Sequence, residues 1–129
     1  MNGKFLLDTN IVIALFKNES SVIEKISEAR EVFISNITVG ELYFGAYKSN
    51  KTENNIKQIE NFVSKNTVLN CDSITAKYYG QVKNKLKIKG KPIPENDIWI
   101  AAIALQYDFI LVSRDKHLQE IDDLLLQKW

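Results

Sequence analysis

The sequence predicts an α/β fold of three layers, in which helices cover both faces of a central, mainly parallel β-sheet. Short apolar runs, rich in β-branched or aromatic residues, are typical of buried strands. Helical stretches separate these runs, and repeated alternation of strand and helix favours parallel pairing of the strands. In addition, every residue from Ile98 to Leu105 is Ile, Trp, Ala or Leu, which indicates a helix that is buried on all sides.

Four runs are predicted to be strands of this sheet. They are residues 4–7 (KFLL), 32–35 (VFIS), 67–70 (TVLN) and 109–113 (FILVS). A last apolar piece, LLLQKW at residues 124–129, is expected either to add an edge strand or to pack as a tail.

Helices are predicted in the stretches that separate the strands. They cover residues 10–16, 21–29, 37–49, 54–65 and 74–89, and then the apolar stretch that follows Pro94. Asp72 or Ser73 can cap the fifth helix, and Gly90 is expected to end it because glycine readily adopts the left-handed backbone of helix C-termini. Pro94 suits the first turn of the next helix.

Length and composition are those of a globular protein. With 129 residues, 45% of them hydrophobic, the chain is expected to form a single domain over residues 1–129. The net charge of +1 gives no global field for nucleic acid, so any such surface must be local. The lone Cys71 excludes an internal disulfide and a cysteine metal site. No apolar run could cross a bilayer and no signal-peptide layout is present, so a cytoplasmic protein without a membrane partner is expected.

Four acidic residues stand where apolar stretches meet polar ones. Asp8 follows the first strand directly, and Asp115 follows the fourth with one residue between. Because ligands bind outside the carboxyl ends of the strands in an open parallel sheet, both should lie at that edge. Asp97 heads the apolar helix, where it can face the same edge, and Glu41 lies inside the largely apolar stretch ITVGELYFGA.

Together these acids predict a site for a divalent metal. Four carboxylates in one cleft repel one another unless a cation holds them, and oxygen ligands without a cysteine or histidine cluster favour Mg²⁺ or Mn²⁺. Each acid also has a simpler explanation. Asp8 can cap a helix, Asp97 is favoured by the helix dipole, Asp115 can begin a turn, and Glu41 can be a solvated position.

Four segments resemble a known family. In this order and spacing, FLLDTN, SNITVGELYFGA, GKPIPENDIWIAAIAL and ILVSRDKHL are similar to the PIN domain, and specifically to the VapC-type toxin ribonucleases of bacterial toxin–antitoxin pairs. The resemblance spans essentially the whole chain and implies an endoribonuclease that depends on Mg²⁺ or Mn²⁺. Carried over residue by residue, the acids of the family fall on Asp8, Glu41, Asp97 and Asp115. Their polar partners fall on Thr9 or Asn10 and on Ser113, where threonine is commoner; Leu118 stands where phenylalanine is common.

The chemistry of RNA hydrolysis suggests a role for each of these residues. Metal ions activate water and stabilise charge on the phosphate. Asp8 and Asp97 are predicted to bind the principal metal, with Asp115 close by as a further metal ligand. Glu41 is predicted either to bind a second metal or to orient the attacking water. Ser113, Asn10 and Thr9 are predicted to hold the carboxylates in place.

The resemblance also implies partners. It predicts a homodimer, and an antitoxin whose C-terminal segment wraps the toxin and blocks the acidic cleft. The RNA substrate needs local positive charge, and the lysines of KNKLKIKGK are the densest such stretch. Lys85, Lys87 and Lys89 are predicted to contact the RNA backbone, although cations at a helix C-terminus are also typical of a solvated face.

Two alternatives remain open from the residues alone. The first is a PIN fold that binds RNA or protein without turnover, which leaves the four mutually repelling acids unexplained. The second is a receiver-like or haloacid-type phosphotransfer domain with Asp8 as the nucleophile. A haloacid-type site requires a second aspartate two residues later, and position 10 is asparagine.

Overall fold

The structure, a computed structural model, describes residues 3–129 and confirms the predicted fold class. Its centre is a five-stranded sheet in which every pairing is parallel, with strand order β3-β2-β1-β4-β5. The strands are β1 (Lys4–Leu7), β2 (Glu31–Ser35), β3 (Thr67–Leu69), β4 (Ile110–Val112) and β5 (Leu126–Gln127). Four of them match the predicted runs within two residues at each end, and the C-terminal LLLQKW supplies the edge strand β5.

The strand order creates a cleft at one edge of the sheet. From β1 the chain builds outward through β2 to β3, and it then crosses to the other side of β1 to form β4 and β5. Phe5 therefore pairs with Val32 on one side and with Ile110 on the other. In parallel sheets, a crevice opens outside the carboxyl ends of the two strands at which the order reverses. Here those strands are β1 and β4.

The helices begin and end close to the predicted positions. They are α1 (Thr9–Phe16), α2 (Ser20–Glu28), α3 (Asn36–Lys48), α4 (Thr52–Lys65), α5 (Ser73–Lys89) and α6 (Glu95–Tyr107). Asp72, not Ser73, caps α5: its carboxylate accepts the Thr75 N–H, and the Thr75 hydroxyl accepts the Asp72 N–H in return. Gly90 ends α5 at a φ of 71°, which glycine adopts without steric cost.

Two hydrophobic layers hold the helices against the sheet. Successive strand residues point to opposite faces, so Phe5 and Leu7 face one layer while Leu6 faces the other. The first layer contains apolar residues of α1, α3 and α4, and the second contains those of α5 and α6. Residues 100–104 of α6 are all at most 1% exposed, as the apolar sequence predicts. Within residues 3–129, no helix is both long and apolar enough to cross a membrane.

Candidate active site

Asp8 joins the end of β1 to the start of α1. Its N–H donates to the carbonyl of Val112 at 2.9 Å, which continues the pairing of β1 with β4 by one residue. Its carboxylate accepts the Thr9 N–H at 2.8 Å and caps α1, so Asp8 is a helix cap, as its simpler explanation predicts. Carboxylates are rarely buried unless they are paired or bind a metal, but Asp8 is only 4% exposed. Its burial indicates a further role.

Ser113 and Asn10 connect Asp8 to the loop that follows β4. The Ser113 hydroxyl donates to Asp8 Oδ2 at 2.6 Å and accepts the N–H of Asp115 at 3.0 Å. Asn10 donates to the Ser113 hydroxyl at 3.3 Å and accepts the N–H of Arg114 at 3.2 Å. These bonds join residues about a hundred positions apart in the sequence and keep Asp8 and Asp115 in one arrangement.

Glu41 reaches the same edge from α3. The Ser35 hydroxyl caps this helix by accepting the Thr38 N–H at 3.0 Å, so α3 begins directly at the carboxyl end of β2. The Thr9 hydroxyl donates to Glu41 Oε1, and Asn96 donates to Glu41 Oε2 at 3.1 Å. Glu41 is thus held between α1 and α6, close enough to Asp8 and Asp97 to raise the pKa of each.

Asp97 and Asp115 are in direct contact across the cleft. Asp97 lies half-buried in the first turn of α6, and a carboxylate oxygen of Asp97 lies within 4.8 Å of one of Asp115. Asp115 also accepts the N–H of His117 at 2.9 Å, and His117 Nδ1 lies 3.0 Å from the same carboxylate. One ligand atom from each of Asp97, Asp115 and His117 falls within 4.8 Å of the other two, which is close enough for all three to reach one metal ion.

The pKa values reflect this crowding. Burial raises the pKa of Asp8 above its usual range, and the nearby Glu41 and Asp115 add to the rise. Burial and the contact with Asp115 raise the pKa of Asp97 to about 7. Burial alone would also raise the pKa of Asp115, but hydrogen bonds from His117 and Asp97 bring it below its usual range. The carboxyl group of Asp97 therefore holds a proton more readily than an ordinary aspartate, whereas Asp115 beside it favours the ionised form.

The donor set fits a divalent cation. Among the residues that the structure describes, no lysine or arginine forms an ion pair with Asp8, Glu41, Asp97 or Asp115. Carboxylates that a protein brings together without a basic partner are disfavoured unless they are protonated or bind a metal. All four offer oxygen atoms, and the exposed imidazole of His117 stands beside them as the only nitrogen ligand of the cluster.

Some contacts of the site have no signal in the sequence. Asn96 bonds to Glu41 across 55 positions, and nothing distinguishes it from an ordinary first-turn residue. Arg114 forms an ion pair with Glu19 at 2.8 Å and donates to the carbonyl of Trp129 at 3.0 Å. Only the nearness of Arg114 to Asp115 along the chain could have marked it, because its partners lie in distant segments.

The lysines of α5 lie on different sides of their helix. Lys89 forms an ion pair with Asp122 at 2.9 Å, and Lys85 lines the recess that Asp122 shares. Lys87 instead lines a recess next to Pro92. The last turns of α5 lie beside the start of α6, where Lys83 forms an ion pair with Glu95 at 2.8 Å. The lysines are thus near the end of α6 that carries Asp97, and their contact with RNA stays a prediction.

Comparison with known proteins agrees with this architecture. The PIN domain family profile matches residues 5–124. Ribonuclease VapC2 of Haemophilus influenzae is 40% identical over 129 residues, which is 98% of both chains. The tRNA(fMet)-specific endonuclease VapC of Shigella flexneri is 36% identical over 129 residues, also 98% of both chains. A chain of the solved VapBC-1 structure from nontypeable Haemophilus influenzae superposes with a TM-score of 0.89 at 37% identity, covering 98% of both chains. The chain therefore belongs to the PIN-domain family and, within it, to the VapC ribonucleases.

Proposed function

We propose that this chain is an endoribonuclease that hydrolyses RNA with the help of Mg²⁺ or Mn²⁺, and that it is the toxin of a toxin–antitoxin pair. One observation carries the proposal: Asp8, Glu41, Asp97 and Asp115 lie near one another at the carboxyl edge of the sheet, and none of them has a lysine or arginine partner among residues 3–129. The names of the relatives, a ribonuclease and a tRNA-specific endonuclease, support the choice of RNA as substrate.

In this proposal the residues divide the work as follows. Asp8, Asp97 and Asp115 would hold the metal, which when bound would lower the pKa of a water molecule and neutralise charge on phosphate oxygens. Glu41 would orient the attacking water by accepting a hydrogen bond from it. Thr9 and Asn96 hold the two oxygens of Glu41 in place. Ser113 and Asn10 keep Asp8 and Asp115 at a fixed separation.

Mg²⁺ and Mn²⁺ are the ions that this donor set favours. Carboxylate oxygens are hard ligands, and the cluster contains no thiolate that would select zinc. With the imidazole nitrogen of His117 as a ligand the site would suit Mn²⁺. With the carboxylates alone it would offer only oxygen ligands, which suit Mg²⁺.

The proposal extends to partners and location. We infer that residues 1–129 act as one domain in the cytoplasm, that two copies form a homodimer, and that an antitoxin covers the acidic cleft. The solved VapBC-1 structure, in which the relative is part of a VapBC assembly, supports the antitoxin. Expressed alone, the chain should arrest growth, and Asp8→Asn should relieve the arrest. A chain that is harmless when overproduced and sediments as a monomer would contradict this.

The phosphotransfer alternative conflicts with the residue at position 10. A haloacid-type site needs an aspartate there, and this chain has Asn10, whose side chain donates to Ser113 and accepts from Arg114. The binding-module alternative differs in a simple assay, since it predicts RNA affinity without product.

The direct test is RNA cleavage with controlled metal. Purified protein is incubated with a mixed RNA substrate in Mg²⁺, in Mn²⁺ or in EDTA, with Asp97→Asn in parallel. We expect cleavage only by the unsubstituted chain and only with metal. Cleavage that survives EDTA, or no cleavage in either metal, would overturn the proposal.

A further inference from the structure

A recess adjoins the acidic cluster on the side of β5. It has a volume of about 250 Å³ and lies between the end of β4, the short 3₁₀ helix at Lys116–Glu120 and the C-terminal end of β5. Its lining includes Ser113, Asp115, Lys116, Gln119, Gln127 and Lys128. We propose that this recess binds a backbone phosphate of the RNA strand, next to the phosphate that is cleaved. The inference rests on the proposed function.

The position of the recess suits a phosphate that neighbours the cleaved one. Asp115 belongs to both the acidic cluster and the wall of the recess, so a strand whose scissile phosphate meets the cluster continues directly over it. The β5 strand is parallel to β4, and its last residues therefore reach the same edge of the sheet as Asp8 and Asp115. Lys128 is the first residue beyond that strand.

The charge of the recess is opposite to that of the cluster. Lys116 and Lys128 are both exposed, and neither forms an ion pair with any residue in the range 3–129. The carbonyl oxygen of the Gln127 side chain accepts the Trp129 indole N–H at 3.0 Å, which leaves the amide N–H groups of Gln127 free to donate. Two ammonium groups and an amide donor are the ligands with which proteins hold phosphate oxygens.

The walls of the recess are tied together, so the site does not have to form on binding. The Ser113 N–H donates to the carbonyl of Gln127 at 3.0 Å and joins the two strand ends. Arg114 is held by Glu19 at 2.8 Å and by the carbonyl of Trp129 at 3.0 Å, and this anchors the C-terminal tail that carries Lys128. The loop is therefore already ordered in the folded protein, so RNA binding does not lose affinity to ordering it.

A second recess of the described chain makes a useful contrast. It lies between α5 and the segment after the 3₁₀ helix, and Lys85 lines it together with Glu120, Asp122 and Asp123. Three acids against one lysine repel a polyanion. The recess beside Asp115 holds one acid, and that acid is a predicted metal ligand whose charge a cation would offset.

The test compares Lys116→Ala/Lys128→Ala with a matched control, Lys25→Ala/Lys65→Ala. Lys25 and Lys65 lie in the last turns of α2 and α4, just before strands begin, and so at the opposite edge of the sheet. Binding of a labelled single-stranded RNA of mixed sequence is measured over a range of salt in the Asp8→Asn background. Cleavage kinetics are measured with Asp8 intact.

We expect the recess variant to lower the slope of log affinity against log salt by about 1.4, since each phosphate contact contributes about 0.7 on a single strand. Its KM for RNA should rise about five- to tenfold with kcat within about twofold, because the lysines contact a flanking phosphate. Mn²⁺ affinity and the melting temperature should not fall. Lys116→Arg/Lys128→Arg should restore the slope, and the control pair should match the unsubstituted chain.

Each other outcome overturns the inference in an identifiable way. If the salt slope of the recess variant equals that of the control, or if kcat falls while KM is unchanged, the recess does not bind a phosphate. A variant that keeps RNA affinity but loses affinity for the antitoxin assigns these lysines to an acidic peptide instead. If the unsubstituted chain fails to cleave RNA at all, the proposed function has failed, and this result is distinct from failure of the recess.

Discussion

The two edges of the central sheet differ in how their charged side chains are arranged. At the amino edge, Lys4 and Glu31 begin neighbouring strands and form an ion pair at 3.7 Å with both side chains about half exposed. At the carboxyl edge, Asp8 is 4% exposed, and the carboxylates of Asp97 and Asp115 lie within 4.8 Å of each other. The amino edge thus carries opposite charges that face water, and the carboxyl edge carries like charges that lie close together.

The difference shows which edge is under functional constraint. An exposed ion pair contributes little to stability and costs little to lose. A cluster of carboxylates opposes folding unless protons or a cation compensate, because like charges repel and raise the pKa values of Asp8 and Asp97. Repulsion among the carboxylates of the carboxyl edge therefore lowers the stability of the metal-free protein, whereas the ion pair of the amino edge does not.

Removing a carboxylate from the cluster should produce the largest effect. Asp8→Asn and Asp97→Asn should each lower RNA cleavage more than about 100-fold, which exceeds the usual loss from an outer-shell residue. Asp97→Asn should also raise the free energy of unfolding of the metal-free protein by about 1 kcal/mol, since it removes a repelling charge. Cleavage assays and thermal melts in EDTA measure the two effects. Glu31→Gln, at the amino edge, is the control and should change neither. Full activity in either Asn variant would refute the metal-site assignment.

The raised pKa of Asp97 predicts how pH acts on the carboxyl edge. Because this pKa is about 7 in the folded protein and near the ordinary 3.8 in the unfolded chain, unfolding releases a proton between these values. The contribution of Asp97 to the stability of the metal-free protein should thus fall as pH rises from about 4 to about 7. Metal must displace the same proton, so Mn²⁺ affinity should fall about tenfold per pH unit below 7.

Denaturant melts in EDTA and Mn²⁺ titrations, both at several pH values, check this prediction. Asp97→Asn should flatten the dependence of stability on pH over this range. An Asp97→Asn variant whose stability changes with pH as in the unsubstituted chain would contradict the raised pKa of Asp97.

Ser113 offers a smaller change at the same edge. Ser113→Ala removes the donor to Asp8 Oδ2 and the acceptor for the Asp115 N–H, and should lower Mn²⁺ affinity about 10-fold or more. Ser113→Thr keeps the hydroxyl and should retain affinity within about threefold, which makes it the matched control. Equal losses in both variants would mean that packing, not the hydrogen bonds, is what matters at this position. Isothermal titration of the metal distinguishes these results.

The lysines of α5 should give the smallest effect. Changing Lys85, Lys87 and Lys89 together to Ala should weaken RNA binding about threefold to tenfold and flatten its salt dependence. The loss is limited because Lys89 is engaged with Asp122. The preferred cleavage position should not change, because phosphate contacts position the strand without reading its sequence. Binding titrations at several salt concentrations and mapping of cleavage ends test both statements, and an unchanged slope would leave these lysines as solvated residues.

Much of the fold could be predicted because its signals are local. Four apolar runs became β1 to β4, and Gly90 ends α5 as its conformational freedom implies. The choice between Asp72 and Ser73 as cap could not be made, because adjacent residues of similar chemistry compete for the same N–H groups. For the C-terminal segment, an edge strand and a packed tail were both possible. A two-residue strand forms only by pairing with a neighbour, here β4, and the local sequence does not show which neighbour it has.

The amino-acid sequence by itself determined the α/β class, the strand and helix periods, and the presence of four acids at the ends of apolar elements. These follow from hydrophobic patterning and backbone preference, which act over a few residues. Tertiary structure alone decided that Asp97 meets Asp115, that Asn96 holds Glu41, and that Lys116 and Lys128 flank one recess. Those contacts depend on strand order and on how helices pack across the sheet. Strand order and helix packing result from the packing of the whole core, so they cannot be predicted from any short segment of the sequence.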